Sequence, residues 1–304
     1  TVSDLDRLGA LSHGPGGRVV ATLPVLATYL SDPYDPSPYA PISQRYWNEL
    51  YIDVEATPEL AASDRARALL DDPDVRRAAA ELAGAELFDH RRAYALVRPV
   101  LDELAATCLG APAASRGGFD AWVQRRPEVR RYAAFRAATD RTGTGWHAWG
   151  VGPGRLPFDA AGSPEAGTHL WAQWTMDRQL GAVAASLAER DQRLYLDLPV
   201  GTSGDGFDTW SDHDLYAWGT GAGAPPDDFF GAGQNWGFPP VNPLVSRAQG
   251  HRRFAANLRH HLDAARILRL DHVMGLRRLY WVPDGMPATE GVYVRYPATE
   301  LFAV

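Results

Sequence analysis

The chain of 304 residues contains no lysine. All 30 of its basic side chains are arginines, and 37 Asp and Glu give a formal net charge of −7 at pH 7. Without a primary amine on a flexible stem, a Schiff-base lysine and a phosphate-binding P-loop lysine are both excluded. Net acidity without a basic run also argues against nucleic acid, and against an anionic membrane, as a partner.

Cysteine and long apolar runs are scarce as well. Cys108 is the one cysteine, which excludes an intrachain disulfide and a cysteine-rich metal site. No apolar run approaches the length of a membrane-spanning helix, and the first residues lack the pattern of a secretory signal. We therefore expect a cytoplasmic protein in a reducing compartment.

Aromatic residues, in contrast, are abundant, with 10 Trp, 12 Tyr and 10 Phe. Flat rings beside carboxylates are typical of sugar-binding clefts, because apolar sugar faces stack on rings while hydroxyls form hydrogen bonds. Burial in the hydrophobic core is the alternative for most of these rings.

The order of apolar patterns along the chain predicts a parallel α/β fold. Strand-like apolar runs occur at residues 18–26, 193–198 and 266–271, and helical stripes precede the second and third of them. The long connections 31–48 and 199–243 come after strands, where loops carry the chemistry of (β/α) barrels. We expect a partial (β/α)8 barrel with these three strands as parallel neighbours.

The middle of the N-terminal half has a different character. From residue 57 to about 142 the chain is rich in Ala, Arg, Leu and Glu, and Thr57-Pro58 and Asp72-Pro73 each place a capping residue before a helix-starting proline. A further amphipathic segment is expected over 119–139. We therefore divide the chain into the start of a catalytic barrel (1–56), an inserted helical subdomain (57–142) and the continuation of the barrel (143–304).

A candidate catalytic group lies at the end of the third strand, in the sequence LRLDHVMG from residue 268. Arg269 and Asp271 share one face of that strand, so a guanidinium lies beside a carboxylate. An ionised, oriented aspartate is a candidate nucleophile toward an oxocarbenium-like carbon. A purely structural ion pair that closes the strand is the alternative.

Five motifs in order resemble glycoside hydrolase family 77, the 4-alpha-glucanotransferases (amylomaltases, disproportionating enzymes) of the alpha-amylase superfamily. They are SPYAPISQRYWNELYIDVE (37–55), LYLDLPVGTSGDGFDTW (194–210), GAPPDDFFGAGQNWGFPPVNP (223–243), LRLDHVMGL (268–276) and GVYVRYP (291–297). The resemblance covers nearly the whole chain. It implies transfer of α-1,4-glucan segments between maltooligosaccharides by a retaining double displacement, with no cofactor and no metal.

The resemblance also implies roles for individual residues. Asp271 matches the nucleophile, Arg269 the arginine that orients it, and His272 and Tyr39 residues that contact the sugar at the cleavage site. The remaining matches are substrate-binding residues: Asp205 on the donor side, and Gln234 and Trp236 in a loop that closes over bound glucan. Each of the binding residues also has a purely structural alternative, as a turn former or a packing group.

One departure from the family pattern stands out. A retaining mechanism needs a second carboxyl group that acts as acid and then as base. In the family this glutamate lies in a Glu-Asp-Leu-Gly stretch, and a third aspartate follows a later histidine; neither motif is present here. Glu290 and Glu300 are the only glutamates after Asp271. We expect a truncated chain, inactive as it stands, with one of three catalytic carboxylates.

Other functional motifs are absent or incomplete in the sequence. Gly201, Ser203 and Gly206 have the wrong spacing for a nucleophile elbow. The glycines at 219, 221 and 223 open no helix after a strand, which excludes a dinucleotide-binding loop, and the pair His260-His261 has no metal-ligand spacing. An inactive glucan-binding fragment, or an α-1,4-glucan hydrolase of the same superfamily, remains open.

Overall fold

The computed structural model describes residues 1–304. Its strands are β1 Val19–Ala21, β2 Arg193–Leu198, β3 Thr220–Ala224, β4 Gln234–Asn235, β5 Ile267–Leu270, β6 Arg278–Pro283 and β7 Val292–Arg295. Its α-helices are α1 Ser3–His13, α2 Pro58–Ala62, α3 Asp64–Asp71, α4 Pro73–Gly84, α5 His90–Gly110, α6 Ala113–Arg125, α7 Glu128–Thr142, α8 Pro164–Glu189, α9 Phe207–Ser211, α10 Pro243–Ala248, α11 Arg252–Ala264 and α12 Ala298–Ala303.

The three predicted strands form a parallel sheet with β2 in the middle. Val20 of β1 lies opposite Leu194, and Leu196 lies opposite Leu268 of β5. The prediction of three parallel neighbours is confirmed. Three strands do not close a barrel, so the sheet has an unpaired edge at β1 and another at β5.

The first strand is much shorter than predicted, since β1 ends at Ala21 rather than near residue 26. Pro24 has no N–H to donate to a sheet. Beyond it, Leu26 forms an isolated antiparallel bridge with Trp47, and the Ala27 amide donates to the Tyr46 carbonyl at 2.8 Å. The chain after β1 thus leaves the sheet and pairs with the segment that follows Tyr39.

Capping residues and prolines set where the helices of residues 58–142 begin and end. Asp72 accepts hydrogen bonds from the Asp74 and Val75 amides at the start of α4. The amphipathic segment expected over 119–139 is divided between two helices, α6 and α7. Pro127 lacks an N–H and disfavours the helical conformation of Arg126, which has φ −129° and ψ 62°.

One apolar core joins the helical region to the parallel sheet. It holds 41 buried residues, among them Phe135 of α7, Leu180 and Leu187 of α8, and Leu194 and Leu196 of β2. Helix α8 packs against α5 and α7 on one side and against β2 on the other. Residues 58–142 therefore share their core with the helix that covers the sheet. None of the helices has the length and apolar character needed to cross a membrane.

A second sheet, which the sequence did not predict, follows β2. Strands β4, β3, β6 and β7 lie in that order and pair antiparallel. The connection over 199–243, predicted from its Gly, Pro and Asp content, contains β3 and β4. The β3 sequence TGAGA has no alternation of large apolar and polar residues that would predict a strand. Glycine is required there by close approach of β4: a Cβ at Gly223 would lie 2.0 Å from the Gln234 carbonyl oxygen.

Candidate active site

Charged side chains converge at the carboxyl end of the parallel sheet. Asp197 of β2 and Arg269 of β5 are partners in the strand register, and Asp271 directly follows β5. One guanidinium nitrogen of Arg269 donates to Asp197 Oδ2 at 2.5 Å, and the other donates to Asp271 Oδ1 at 2.7 Å. The Arg269 side chain therefore joins two carboxylates across two neighbouring strands.

The two carboxylates differ in environment. Asp197 is buried, with 3% of its side chain exposed, whereas 23% of the Asp271 side chain is exposed. Burial raises the pKa of Asp197, and Asp271 adds to this effect, although the hydrogen bond from Arg269 opposes it. Asp271 is thus the carboxylate that a ligand can reach, while Asp197 lies behind it.

Tyr39 lies at the same place. Its hydroxyl donates to Asp197 Oδ2 at 3.3 Å. Burial and the nearby Asp197 carboxylate both raise the pKa of Tyr39. The hydroxyl therefore stays protonated and remains a donor. Its hydrogen bond to Asp197 places the connection 31–48 against the end of β2.

His272 turns the chain sharply after Asp271. It has φ 45° and ψ 51°, in the left-handed region that residues other than glycine seldom adopt. The turn follows a hydrogen bond from the Asp271 amide to the Leu198 carbonyl at 2.9 Å. Burial lowers the pKa of His272, although Asp271 acts in the opposite direction, so the imidazole is neutral at pH 7.

The aromatic ring of Trp236 lies beside these polar groups. The Trp236 ring meets the His272 ring edge to face, with centroids 5.0 Å apart, and its Nε1 donates to Gln234 Oε1 at 3.2 Å. The Trp236 and His272 rings border an open cleft of ≈ 460 Å³ lined by Ser37, Tyr39, Ala40, Val200, Trp236, Phe238, Asp271 and His272. Asp271 is the one carboxylate in this lining.

Two other predicted site residues, Gln234 and Asp205, do not line the cleft. Gln234 reaches the cleft only through Trp236. Asp205 lies elsewhere: its Oδ1 is 2.7 Å from His147 Nδ1, and it does not line the cleft. Phe229, at the tip of the same loop as Trp236, is 91% exposed and also lies outside the lining.

Neither of the two later glutamates supplies a second carboxyl to the cleft. Glu300 pairs with Arg247 at 2.8 Å and with His251 at 3.2 Å. Glu290 belongs to a short 3-10 helix, Ala288–Glu290, beside β7. No group of three or more His, Cys, Asp or Glu side chains has an arrangement that could hold a metal ion.

Asp197 is the residue that reasoning from the sequence missed. A signal was present, because an aspartate interrupts the otherwise apolar end of a predicted strand, as Arg269 and Asp271 do in the third strand. Only the strand register, which sets Asp197 opposite Arg269, shows that this aspartate belongs to the same site.

Comparison with known proteins identifies the family of the chain. A family model described as 4-alpha-glucanotransferase, glycoside hydrolase family 77, matches residues 1–304. A 4-alpha-glucanotransferase of Mycobacterium tuberculosis is 35% identical over 97% of this chain, and one of Haemophilus influenzae is 30% identical over 99% of it. The chain spans 42% and 46% of the length of these two relatives, respectively.

Solved structures match over the same extent. The crystal structure of amylomaltase from Corynebacterium glutamicum superposes with a TM-score of 0.84 at 26% identity, covering 99% of this chain and 42% of that one. Amylomaltase from Streptococcus agalactiae in complex with acarbose has the same fold, with a TM-score of 0.82 at 20% identity, over 98% of this chain and 61% of that one. The chain therefore belongs to glycoside hydrolase family 77, the 4-alpha-glucanotransferases.

Proposed function

We propose that this chain carries the nucleophile and part of the glucan-binding cleft of a 4-alpha-glucanotransferase. The observation that carries the proposal is the Asp271 carboxylate, which lies in the cleft and is held by Arg269. A carboxylate that is oriented and accessible can attack the anomeric carbon of an α-linked glucosyl unit.

In the proposed reaction, an Asp271 oxygen forms a bond to C1 while the bond from C1 to the leaving glucan oxygen breaks. That oxygen takes a proton from an acid outside the cleft lining described above. The product is a β-glycosyl-enzyme, and the 4-hydroxyl of a second glucan then displaces Asp271 and gives up its proton to the same group. Two inversions give retention of the α configuration, and no redox partner is needed.

The other groups of the site have supporting roles in this proposal. Arg269 orients Asp271 and Asp197 orients Arg269, because the guanidinium bonds to both carboxylates. Tyr39, His272 and Trp236 contact the sugar that lies over Asp271, and Gln234 holds the Trp236 indole. Asp205, with His147, offers hydrogen bonds to a more distant sugar of the donor.

The division of the chain also belongs to this proposal. Residues 1–56 and 143–304 would form the first part of a (β/α)8 barrel, and residues 57–142 the inserted helical subdomain. The free edge of β5 supports it, since an unpaired strand edge can accept a further parallel strand. The missing proton donor would then come from the part of the full-length relatives that this chain does not span.

A glucan-binding fragment without activity is the second candidate. It is favoured by one observation, the presence of a single carboxylate in the cleft lining. Such a chain would keep every aromatic and polar contact of the cleft and lack only the acid and base.

Two measurements test the proposal. Calorimetric titration of the 304-residue chain with acarbose or maltotriose is expected to show binding that the Asp271→Asn variant retains. Incubation with maltotriose is then compared between this chain and the extended enzyme, meaning these residues together with the downstream sequence of their gene. Longer maltooligosaccharides formed only by the extended enzyme support the transferase. Binding without transfer in either form supports the glucan-binding fragment, and absence of binding contradicts both.

A further inference from the structure

Gln44 joins three segments that build the cleft. It lies outside the cleft lining described above, but it lines the adjoining cavity, which also borders Asp271 and His272. Its side-chain Nε2 donates to the Pro199 carbonyl at 2.6 Å, and its Oε1 accepts from Asn257 Nδ2 at 2.8 Å. Its main-chain amide donates to Asp208 Oδ2 at 2.9 Å. The side-chain amide of Gln44 therefore uses its nitrogen as a donor and its oxygen as an acceptor.

The partners of Gln44 lie next to the catalytic strands. Pro199 follows β2, two residues after Asp197, and Asn257 lies in α11, the helix that leads into β5. Gln44 itself follows Tyr39 by five residues. One amide group thus ties the Tyr39 segment to the end of one catalytic strand and to the helix that precedes the other.

Asp208 makes this junction rigid. It is fully buried, and it accepts from the Ser43 hydroxyl at 2.6 Å and from Arg253 at 3.0 Å, in addition to the Gln44 amide. Arg253 is 7% exposed and also belongs to α11. A buried carboxylate whose oxygens are all engaged resists displacement, because moving it would leave charge without partners.

The chain between Tyr39 and Gln44 is held on its other side as well. The Pro41 carbonyl accepts from the Thr202 hydroxyl at 2.7 Å and from the Ser203 amide at 2.9 Å, and the Ile42 amide donates to the Ala27 carbonyl at 2.7 Å. The four consecutive residues 41–44 are thus held by hydrogen bonds to the loop after β2, to Asp208 in α9 and to Ala27. The position of the Tyr39 hydroxyl at Asp197 follows from these contacts.

We infer that Gln44 is a positioning residue: it sets Tyr39 against Asp197 and thereby shapes the sugar contact over Asp271. The expected effect of Gln44 on sugar binding rests on the proposed function. Its expected effect on the position of residues 39–44 does not. Gln44 touches no reacting atom, so its effect is expected to act through Tyr39.

The test compares Gln44→Leu with Gln179→Leu in the 304-residue chain. Gln179 is a matched control, because its Oε1 accepts from the Asp53 amide at 2.9 Å and its Nε2 donates to the Asp53 carbonyl at 2.8 Å, away from the cleft lining. Each substitution removes two hydrogen bonds from a half-buried glutamine. Gln44→Leu is expected to weaken acarbose binding by about tenfold, and Gln179→Leu by less than about twofold.

A double-mutant cycle with Tyr39→Ala separates positioning from general loss of stability. In the Tyr39→Ala background, Gln44→Leu is expected to cause no further loss of affinity, because the group that it positions is already absent. Additive losses, or equal losses for the two glutamine variants, would overturn the inference. If Gln44→Leu does not fold, Gln44→Glu replaces it, since Glu keeps the acceptor for Asn257 but cannot donate to Pro199 when ionised.

Hydrogen exchange tests the same inference without a ligand. The Ile42 and Ser203 amides are expected to exchange faster in Gln44→Leu than in wild type, and at the wild-type rate in Gln179→Leu. Unchanged exchange at both amides would contradict the inference. If wild type fails to bind acarbose while exchange changes as expected, the proposed function fails and the positioning of the loop stands.

Discussion

Asp197 and Arg269 lie opposite each other in the parallel pairing of β2 with β5, and the guanidinium of Arg269 donates to Asp197 Oδ2 at 2.5 Å. A second donor of the same guanidinium reaches Asp271. The plane of a guanidinium is rigid, so fixing one of its edges on Asp197 fixes the direction of the other. The orientation of Asp271 thus depends on a residue of a different strand.

This relationship predicts different outcomes for two substitutions of Asp197. Asp197→Ala removes the partner that fixes Arg269, so we expect transferase activity of the extended enzyme to fall about a hundredfold. Asp197→Asn keeps an acceptor oxygen at the same place, and a smaller loss is expected. The rate of maltotriose conversion measures both, and circular dichroism melting confirms that both fold. Equal activities for wild type and Asp197→Ala would show that Arg269 does not depend on this contact.

Asp271→Asn is expected to separate chemistry from binding. The amide has nearly the shape of the carboxylate but is a poor nucleophile, so turnover in the extended enzyme falls by roughly a thousandfold or more. Affinity for maltooligosaccharides changes little, because the aromatic and polar lining of the cleft is intact. Steady-state kinetics measure the first quantity and calorimetric titration the second. Undiminished turnover would remove Asp271 from the proposed mechanism.

Trp236→Ala is expected to raise hydrolysis relative to transfer in the extended enzyme. In the proposed mechanism, water and a sugar hydroxyl compete for the same glycosyl-enzyme. The Trp236 indole lies beside His272 in the cleft lining, where it would limit the access of water. With maltotriose as substrate, the ratio of new reducing ends to longer products is expected to rise severalfold. Phe229→Ala, in the same loop but outside the cleft lining, is the control and should leave the ratio unchanged. An unchanged ratio in Trp236→Ala would show that this loop is not the barrier to water.

Acid sensitivity of the fold is expected to arise in part from His261. This residue is 1% exposed; its Nδ1 lies 2.9 Å from the Asn257 carbonyl and carries the proton, while Nε2 is buried without a partner. Burial lowers the pKa of His261 from 6.5 to about 4. Between these two values the unfolded chain binds a proton that the folded chain does not, so the free energy of unfolding decreases as the pH falls.

The contribution of His261 to this loss is about 3 kcal/mol by pH 4. Chemical denaturation between pH 7 and pH 4 measures it. In His261→Phe the free energy of unfolding is expected to depend less on pH than in wild type. The control His13→Gln, at an exposed position, should match wild type. Identical pH profiles for His261→Phe and wild type would contradict the assignment.

Much of the fold follows from patterns that are local in the sequence. The apolar runs that became β2 and β5 are bounded by polar residues, and the stripe of Leu180, Val183 and Leu187 is long enough to specify α8 without knowledge of its partners. Capping by Asp72 with Pro73 likewise depends on neighbours a few residues away. Such features need no long-range contact, and the sequence predicts them directly.

The second sheet could not be predicted in this way. Strand β3 is a glycine-rich segment, and its conformation is determined by backbone pairing with β4 and β6 rather than by its side chains. The early end of β1 has a similar origin, because residues after Pro24 pair with the chain around Trp47 instead of continuing the sheet. Which of two distant segments a strand pairs with cannot be predicted from the local sequence pattern.

The sequence alone, through its motifs, determined the family and predicted Asp271 as the nucleophile with Arg269 beside it, since these two residues are close in the chain and their types suit that chemistry. Only the tertiary structure decided that Asp197 holds Arg269, that Asp205 lies with His147 rather than in the cleft lining, and that Gln44 ties the Tyr39 segment to the end of β2 and to α11, the helix before β5. The physical reason is that these contacts join residues far apart in the chain. Strand register and loop packing bring them together, and neither is encoded by spacing within a single segment.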